Sequence, residues 1–208
     1  MSGDLFVTGT DTDVGKTLLS ALLVASLGRR YWKPIQTGAS EGTDRTRVIA
    51  WAGVTADDTF PEAYIFDPPV SPHLAAEQQG IVIPLQGIRR PPWSEALIIE
   101  GAGGLLVPIN DVTLMADLIN HLRAPVVVAA RTALGTINHT LLTIAAARSA
   151  DLALRGVVMI GKPNDDNRRA IERYGNIPVI GLIPWLDKID RDTLINVFRQ
   201  RFDASAFA

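Results

Sequence analysis

The sequence contains no cysteine, so disulfides, thiol nucleophiles and thiolate-bound metals are all excluded, as suits a reducing, cytoplasmic setting. It has three histidines, His73, His121 and His139, at spacings that no metal motif uses, so structural or surface roles are expected of each. It has no excess of positive charge: 20 Lys+Arg stand against 22 Asp+Glu, a formal net charge of −2. A chain that lives by gripping phosphate backbones would be more basic, so nucleic acid is not an expected partner. Long apolar runs are missing too. The longest, Leu18 to Leu27, is about half of a membrane span and is interrupted by Ser20 and Ser26. The opening Met1-Ser2-Gly3-Asp4 has no basic leader, and the last helical stretch is mixed in charge. Neither a targeting segment nor a membrane partner is expected. No serine has a nucleophile-elbow context, which argues against hydrolase chemistry.

What is present is core. With 208 residues, 47% hydrophobic and 20% charged, the chain is expected to fold as a single domain over 1–208. Short β-rich runs alternate with helical stretches: a strand at Leu5–Thr8 stopping at Gly9, a helix over Lys16–Leu27, a strand at Tyr31–Ile35 and a helix over Asp44–Ala52. The uninterrupted apolar run Ala96–Ile99 reads as a strand buried on both faces. A helix over Thr113–Leu122, a strand at Pro125–Ala130 and a helix over Thr136–Ser149 follow. The pattern closes with a strand at Gly156–Ile160, helix Arg168–Tyr174, strand Val179–Ile183 and helix Asp190–Phe202. This alternation predicts an α/β fold, a mainly parallel sheet flanked by helices, with ligands beyond the carboxyl ends of its strands.

The segment Gly9-Thr10-Asp11-Thr12-Asp13-Val14-Gly15-Lys16-Thr17 lies between a strand and a helix, where a phosphate loop belongs. Gly15 lets backbone approach phosphate oxygens and the helix start points amides at an anion. Lys16 adds a cation, and the Thr17 hydroxyl suits Mg²⁺. The usual leading glycine is displaced: Thr10 stands five before Gly15, and Gly9 precedes it. Glu100, ending Ala96–Ile99 and followed by Gly101-Ala102-Gly103-Gly104, is placed like an acid for a metal and γ-phosphate. Asp44, after Thr43, is a second candidate, although an acid in a first helical turn is also stabilising by itself. Lys33 lies in an apolar run before Pro34. It either points inward to an anion such as a transferring phosphoryl group or faces water from an edge strand.

At these residues the sequence resembles the dethiobiotin synthetase family. GTDTDVGKT at Gly9–Thr17, WKPIQTG at Trp32–Gly38, SPH at Ser71–His73, EGAGG at Glu100–Gly104, GTINHTLLT at Gly135–Thr143 and IPWL at Ile183–Leu186 occur in that family's order and approximate spacing. The resemblance implies a homodimeric enzyme of the P-loop NTPase type. Its substrates would be 7,8-diaminononanoate, CO2 and ATP, and its products dethiobiotin, ADP and phosphate. It implies Lys33 as the catalytic lysine between carbamate and γ-phosphate, and Lys16 as the loop lysine. Mg²⁺ would be held by Thr17, Asp44 and Glu100. ATP would also meet Asp13, Val14, Gly15, Leu18, Gly101, Ala102, Gly103, Ile160, Gly161, Pro184, Trp185 and Leu186. The substrate would meet Thr12 and Thr37, the latter standing where the family usually has serine. Its distal carboxylate would be received by Gly135, Thr136, Ile137 and Asn138 of the neighbouring subunit. One departure bears on the base: Ile160 stands at the usual asparagine and cannot hydrogen-bond adenine. Base recognition then falls to backbone near Gly161 and Pro184–Leu186, or is relaxed. A nucleotide-switch ATPase of the chromosome-partitioning or cell-division type is the alternative, and Thr10–Asp13 lack the additional early lysine of those switches.

Overall fold

The computed structural model describes residues 3–207; Met1, Ser2 and Ala208, the ends of the expected domain, lie outside the described residues. The chain begins β1 (Leu5–Gly9), α1 (Lys16–Leu27), β2 (Arg30–Trp32), β3 (Ile35–Gln36) and α2 (Asp44–Ala52). It continues β4 (Thr59–Phe60), β5 (Tyr64–Ile65), α3 (Pro72–Gln78), β6 (Leu97–Gly104), β7 (Pro108–Asn110), β8 (Thr113–Leu114) and α4 (Met115–Leu122). It closes with β9 (Val126–Arg131), α5 (Thr136–Ser149), β10 (Leu154–Ile160), α6 (Asp165–Gly175), β11 (Val179–Ile183) and α7 (Arg191–Arg201).

Seven strands form one sheet in the order β11-β10-β9-β1-β6-β2-β4, every neighbouring pair parallel. Side chains alternate between its faces. Phe6, Ile99, Val128 and Met159 join the core under α3 to α6, whereas Val7, Ile98, Ala129 and Val158 join that under α1, α2 and α7. Each of these buried side chains larger than alanine contributes about 1.5–3 kcal/mol of hydrophobic stabilisation. Helix α1 packs against both α2 and α7 as well as the sheet, which explains its almost wholly apolar sequence.

Several expected boundaries shift, each for a physical reason. The single strand expected over Tyr31–Ile35 is two. Trp32 is the last residue paired with β6 and β4, and β3 leaves to pair with β5 in a separate two-stranded sheet. Pro34 has no amide to continue a ladder, so the chain departs there and Lys33 sits at the departure point. Glu100 is not at a strand tip, because β6 runs on through the glycines to Gly104. Thr113 and Leu114 pair with β7, delaying α4 to Met115. Helix α6 starts three residues early, at Asp165, because the Asn164 side chain caps it by accepting from Asn167 N at 2.9 Å.

Candidate active site

The carboxyl ends of β1, β2 and β6 and the first turns of α1 and α2 converge. Beyond β1 the chain is pinned by Thr10 N–H donating to Ala129 O at 3.0 Å and Thr12 N–H donating to Asp11 Oδ1 at 2.7 Å. Gly15 has φ 97, and a Cβ there would lie 2.8 Å from Ile160 Cδ1, so any other residue would be strained. A Cβ on Gly9 would lie 2.6 Å from Val14 Cγ2 and 2.9 Å from Asp11 O. Gly9 therefore serves the tight loop even though it is displaced from its usual place. Lys16 opens α1, is buried, and donates from Nζ to Asp11 O at 2.9 Å. Burial pulls its ammonium below the ordinary lysine value; Glu100 opposes that and the nearby Lys33 charge adds to it.

Strand parity brings the next groups together. Tyr31 and Lys33 lie two apart, as do Ile98 and Glu100, and Tyr31 and Ile98 both pack on the α1 side. Lys33 is 5% exposed; its Nζ donates to Asp44 Oδ2 and, at 3.3 Å, to Glu100 Oε1. Thr17 donates to the same Oε1 at 2.9 Å. The remaining oxygens are tied from outside: Tyr31 donates to Glu100 Oε2 at 3.0 Å, and Arg47 Nη1 donates to Asp44 Oδ1 at 3.1 Å. The Asp44 amide donates to Gln36 Oε1 at 3.0 Å, and Thr43 caps α2 by accepting from Thr46 N at 3.2 Å.

Burial works against the Lys33 charge, yet Glu100 and Asp44 outweigh it and hold Lys33 above the ordinary lysine value. Burial likewise raises Asp44, but the charge and hydrogen bond of Lys33, then Thr17 and Arg47, bring it below the usual carboxylate value. Burial and then the Glu100 charge push the Tyr31 phenol well above its ordinary value, so it is a donor at every ordinary pH. The inward oxygens of Glu100 and Asp44, with Thr17 Oγ1, form a hard oxygen set around a position that already holds a cation. That chemistry fits Mg²⁺.

These groups face a cavity of about 660 Å³. Thr12, Asp13, Gly15, Lys16, Thr17 and Leu18 line it from the phosphate loop. Lys33 just after β2, Thr37 just after β3, Asp44 of α2, and Glu100, Ala102 and Gly103 of β6 line it too, and Val70, Pro72 and Val107 give it an apolar wall. Of the other expected residues, Val14 and Gly101 are buried beside it, Gly101 so close to Phe6 that a Cβ would lie 2.8 Å from the ring.

The expected base contacts lie outside that cavity. Ile160 is buried against Gly15. The Gly161 N–H already donates to Ile183 O at 2.8 Å, and Pro184 has none to offer. Leu186 packs into the core, while Trp185 is 81% exposed beside Gly161. Gly135, Thr136, Ile137 and Asn138 also lie away from the cavity. Thr136 donates to Arg131 O at the start of α5, Gly135 and Asn138 are exposed, and Leu134 before them is fully so. Sequence reasoning missed Tyr31, Gln36 and Arg47. Tyr31 stands two before Lys33 on one strand and Arg47 three after Asp44 on one helix, and those two spacings were the available signal.

No helix among the described residues is long and apolar enough to cross a membrane. The chain shares its fold with a ParA family ATPase from Chlorobium tepidum TLS, at a TM-score of 0.58 and 10% identity over 96% of this chain and 93% of that one. It shares it also with the MinC:MinD cell division protein complex of Aquifex aeolicus, at a TM-score of 0.53 and 14% identity over 92% of this chain and 84% of that one. Likeness at that identity concerns architecture alone. A family model described as an AAA domain matches residues 3–193. The ATP-dependent dethiobiotin synthetases BioD of Brucella ovis and Brucella suis are each 45% identical over 208 residues, covering 100% of this chain and 98% of theirs. That of Brucella abortus is 44% identical over the same span. Identity of that extent, with the phosphate loop and the Lys33 cluster in place, makes the chain a member of the ATP-dependent dethiobiotin synthetase family.

Proposed function

We propose that residues 1–208 form one dethiobiotin synthetase domain, an ATP-dependent ligase that closes a ureido ring on 7,8-diaminononanoate. One amine takes up CO2 as a carbamate and loses a proton to solvent. A carbamate oxygen attacks the γ-phosphorus of ATP and ADP leaves with the bridging oxygen. The second amine attacks the resulting mixed anhydride at carbon, expels phosphate and loses its own proton. This sequence needs two anions held side by side more than it needs a strong base. Lys33, kept charged by its carboxylate neighbours, is the cation assigned to the reacting end, and Lys16 serves the phosphate chain. Thr17, Asp44 and Glu100 would hold Mg²⁺, which when bound neutralises charge on the transferring phosphate. Thr12 and Thr37 offer hydroxyls to the substrate, and the apolar wall of Val70, Pro72 and Val107 accommodates an aliphatic chain.

One observation carries the reading: the Lys33 ammonium, buried between two carboxylates, opens on the same cavity as the phosphate loop. The exposed start of α5, which does not line that cavity, supports a homodimer in which a second copy brings Gly135–Asn138 to the substrate carboxylate. Ile160, with the engaged Gly161 amide, supports relaxed base choice, and the missing cysteines suit the cytoplasm. Incubation with the diamine, bicarbonate, Mg²⁺ and ATP tests the proposal; a ureido product of the expected mass is predicted. ATP hydrolysis indifferent to the diamine and stimulated by DNA or a protein partner would instead favour a nucleotide switch.

A further inference from the structure

Both oxygens of Glu100 are engaged, but on opposite sides. Oε1 faces inward, toward Thr17 at 2.9 Å and Lys33 at 3.3 Å, and Oε2 faces the Tyr31 hydroxyl at 3.0 Å. Tyr31 is fully buried on β2, its backbone paired with Ile98, two residues before Glu100 on the neighbouring strand. A phenol locked between the sheet and α1 has one hydroxyl to give and no water to give it to. We propose that Tyr31 is a positioning residue: its hydroxyl fixes the Glu100 carboxylate so that a single oxygen, Oε1, is presented to the cation position. Arg47 does the corresponding job for Asp44 from a half-exposed helix, where water can replace it; at Tyr31 nothing can. Without the hydroxyl, a buried carboxylate oxygen has lost its donor. The group turns to find another, and that turn removes the inward oxygen from its place.

The inference rests on the assignment of Glu100 to the metal, so the experiment separates the two. Mn²⁺ binding in the presence of ADP is titrated by electron paramagnetic resonance for the unmodified protein, Tyr31→Phe, Glu100→Gln and the double variant. The folded fraction of each variant is measured first by urea unfolding and its apparent constant corrected for it, because a reversibly unfolded fraction weakens apparent binding; Tyr31→Met gives a second reading if the phenylalanine variant does not fold. Tyr31→Phe is expected to weaken Mn²⁺ about tenfold, the scale of an outer partner of a metal ligand. It is expected to add less than about twofold in the Glu100→Gln background, because the two act as one unit. Trp32→Phe, which alters the same strand on its other face, is expected to leave Mn²⁺ binding unchanged. An unchanged constant in Tyr31→Phe, an equal loss in Trp32→Phe, or additive losses in the double variant would each overturn the positioning role. An unchanged constant in Glu100→Gln would overturn the metal assignment itself, and the role of Tyr31 with it.

Discussion

The rim of the sheet has two ends that are built on opposite plans. Around β1, β2, β6 and the start of α2, three ionisable groups, Lys33, Asp44 and Glu100, are each less than one-tenth exposed and are held by one another and by Thr17, Tyr31 and Arg47. At the ends of β10 and β11 the corresponding places are filled by Ile160 and Pro184, an amide already bonded at Gly161, and an exposed indole at Trp185. Buried charges are expensive and are kept only where every partner is in place, so the first end specifies one geometry. The second end offers a hydrophobic rim whose Ile160 side chain and Gly161 amide have no hydrogen bond to give a base. On the proposed function, this contrast predicts a site exacting at the phosphates and permissive at the far end of the nucleotide.

The largest effect should come from breaking the exacting end. Lys33→Ala is expected to lower turnover by at least ~10³, the scale of a lost transition-state cation in phosphoryl transfer. The dissociation constant of ADP should change by less than about threefold, because the lysine acts on the reacting groups and not on ground-state binding. The same variant leaves Asp44 and Glu100 buried without their shared cation, a loss of about 3–5 kcal/mol in urea unfolding. Millimolar Mg²⁺ should restore more of the thermal midpoint in this variant than in the unmodified protein. Equal loss of ADP affinity would move Lys33 from the chemistry to nucleotide binding.

A smaller effect is pH-dependent. Asp44 titrates below its ordinary 3.8 in the folded protein, so as pH falls below 3.8 the unfolded chain takes the proton first. The Asp44 contribution to stability is complete above that value and is lost as pH drops through the folded one. Urea midpoints between pH 6 and pH 3 should therefore fall less steeply for Asp44→Asn than for the unmodified chain. Parallel curves would show that Lys33 does not hold this carboxylate.

The far end should show the smallest effect of all. ATP, GTP and CTP are expected to support the reaction with kcat/KM values within about tenfold of one another, whereas a site that hydrogen-bonds its base separates analogues by roughly 10⁴. Competition assays check this, and a strong preference for ATP would place a base-reading group outside Ile160, Gly161 and Pro184–Leu186.

Much of this was legible in the chain itself. Helix α1 begins and ends where Gly15 and Gly28 bracket a Leu/Ala run, and α2 starts where Thr43 offers a cap, so both were readable to the residue. The β2 region was not, because an apolar run does not say whether it belongs to one sheet or two, and the detachment at Pro34 is what places Lys33 beside the cavity. Strands β4 and β5 are two residues each, too short to carry an alternation, and α3 is a seven-residue helix packed on β7. Within the site, the groups that would meet ligand were readable from the glycines and lysine around them. Those that act through another residue were not: Tyr31 looks like any other strand aromatic until the register of β2 against β6 puts its hydroxyl on Glu100.

In the proposed reaction a carbamate oxygen becomes a phosphate oxygen beside Lys33. A pulse of C¹⁸O₂ with the diamine, Mg²⁺ and ATP, quenched before the label exchanges with water, follows that atom directly. One ¹⁸O per released phosphate is predicted, together with one ureido product per ADP. Phosphate free of ¹⁸O, its fourth oxygen taken from water and its rate of release the same with and without the diamine, would contradict it.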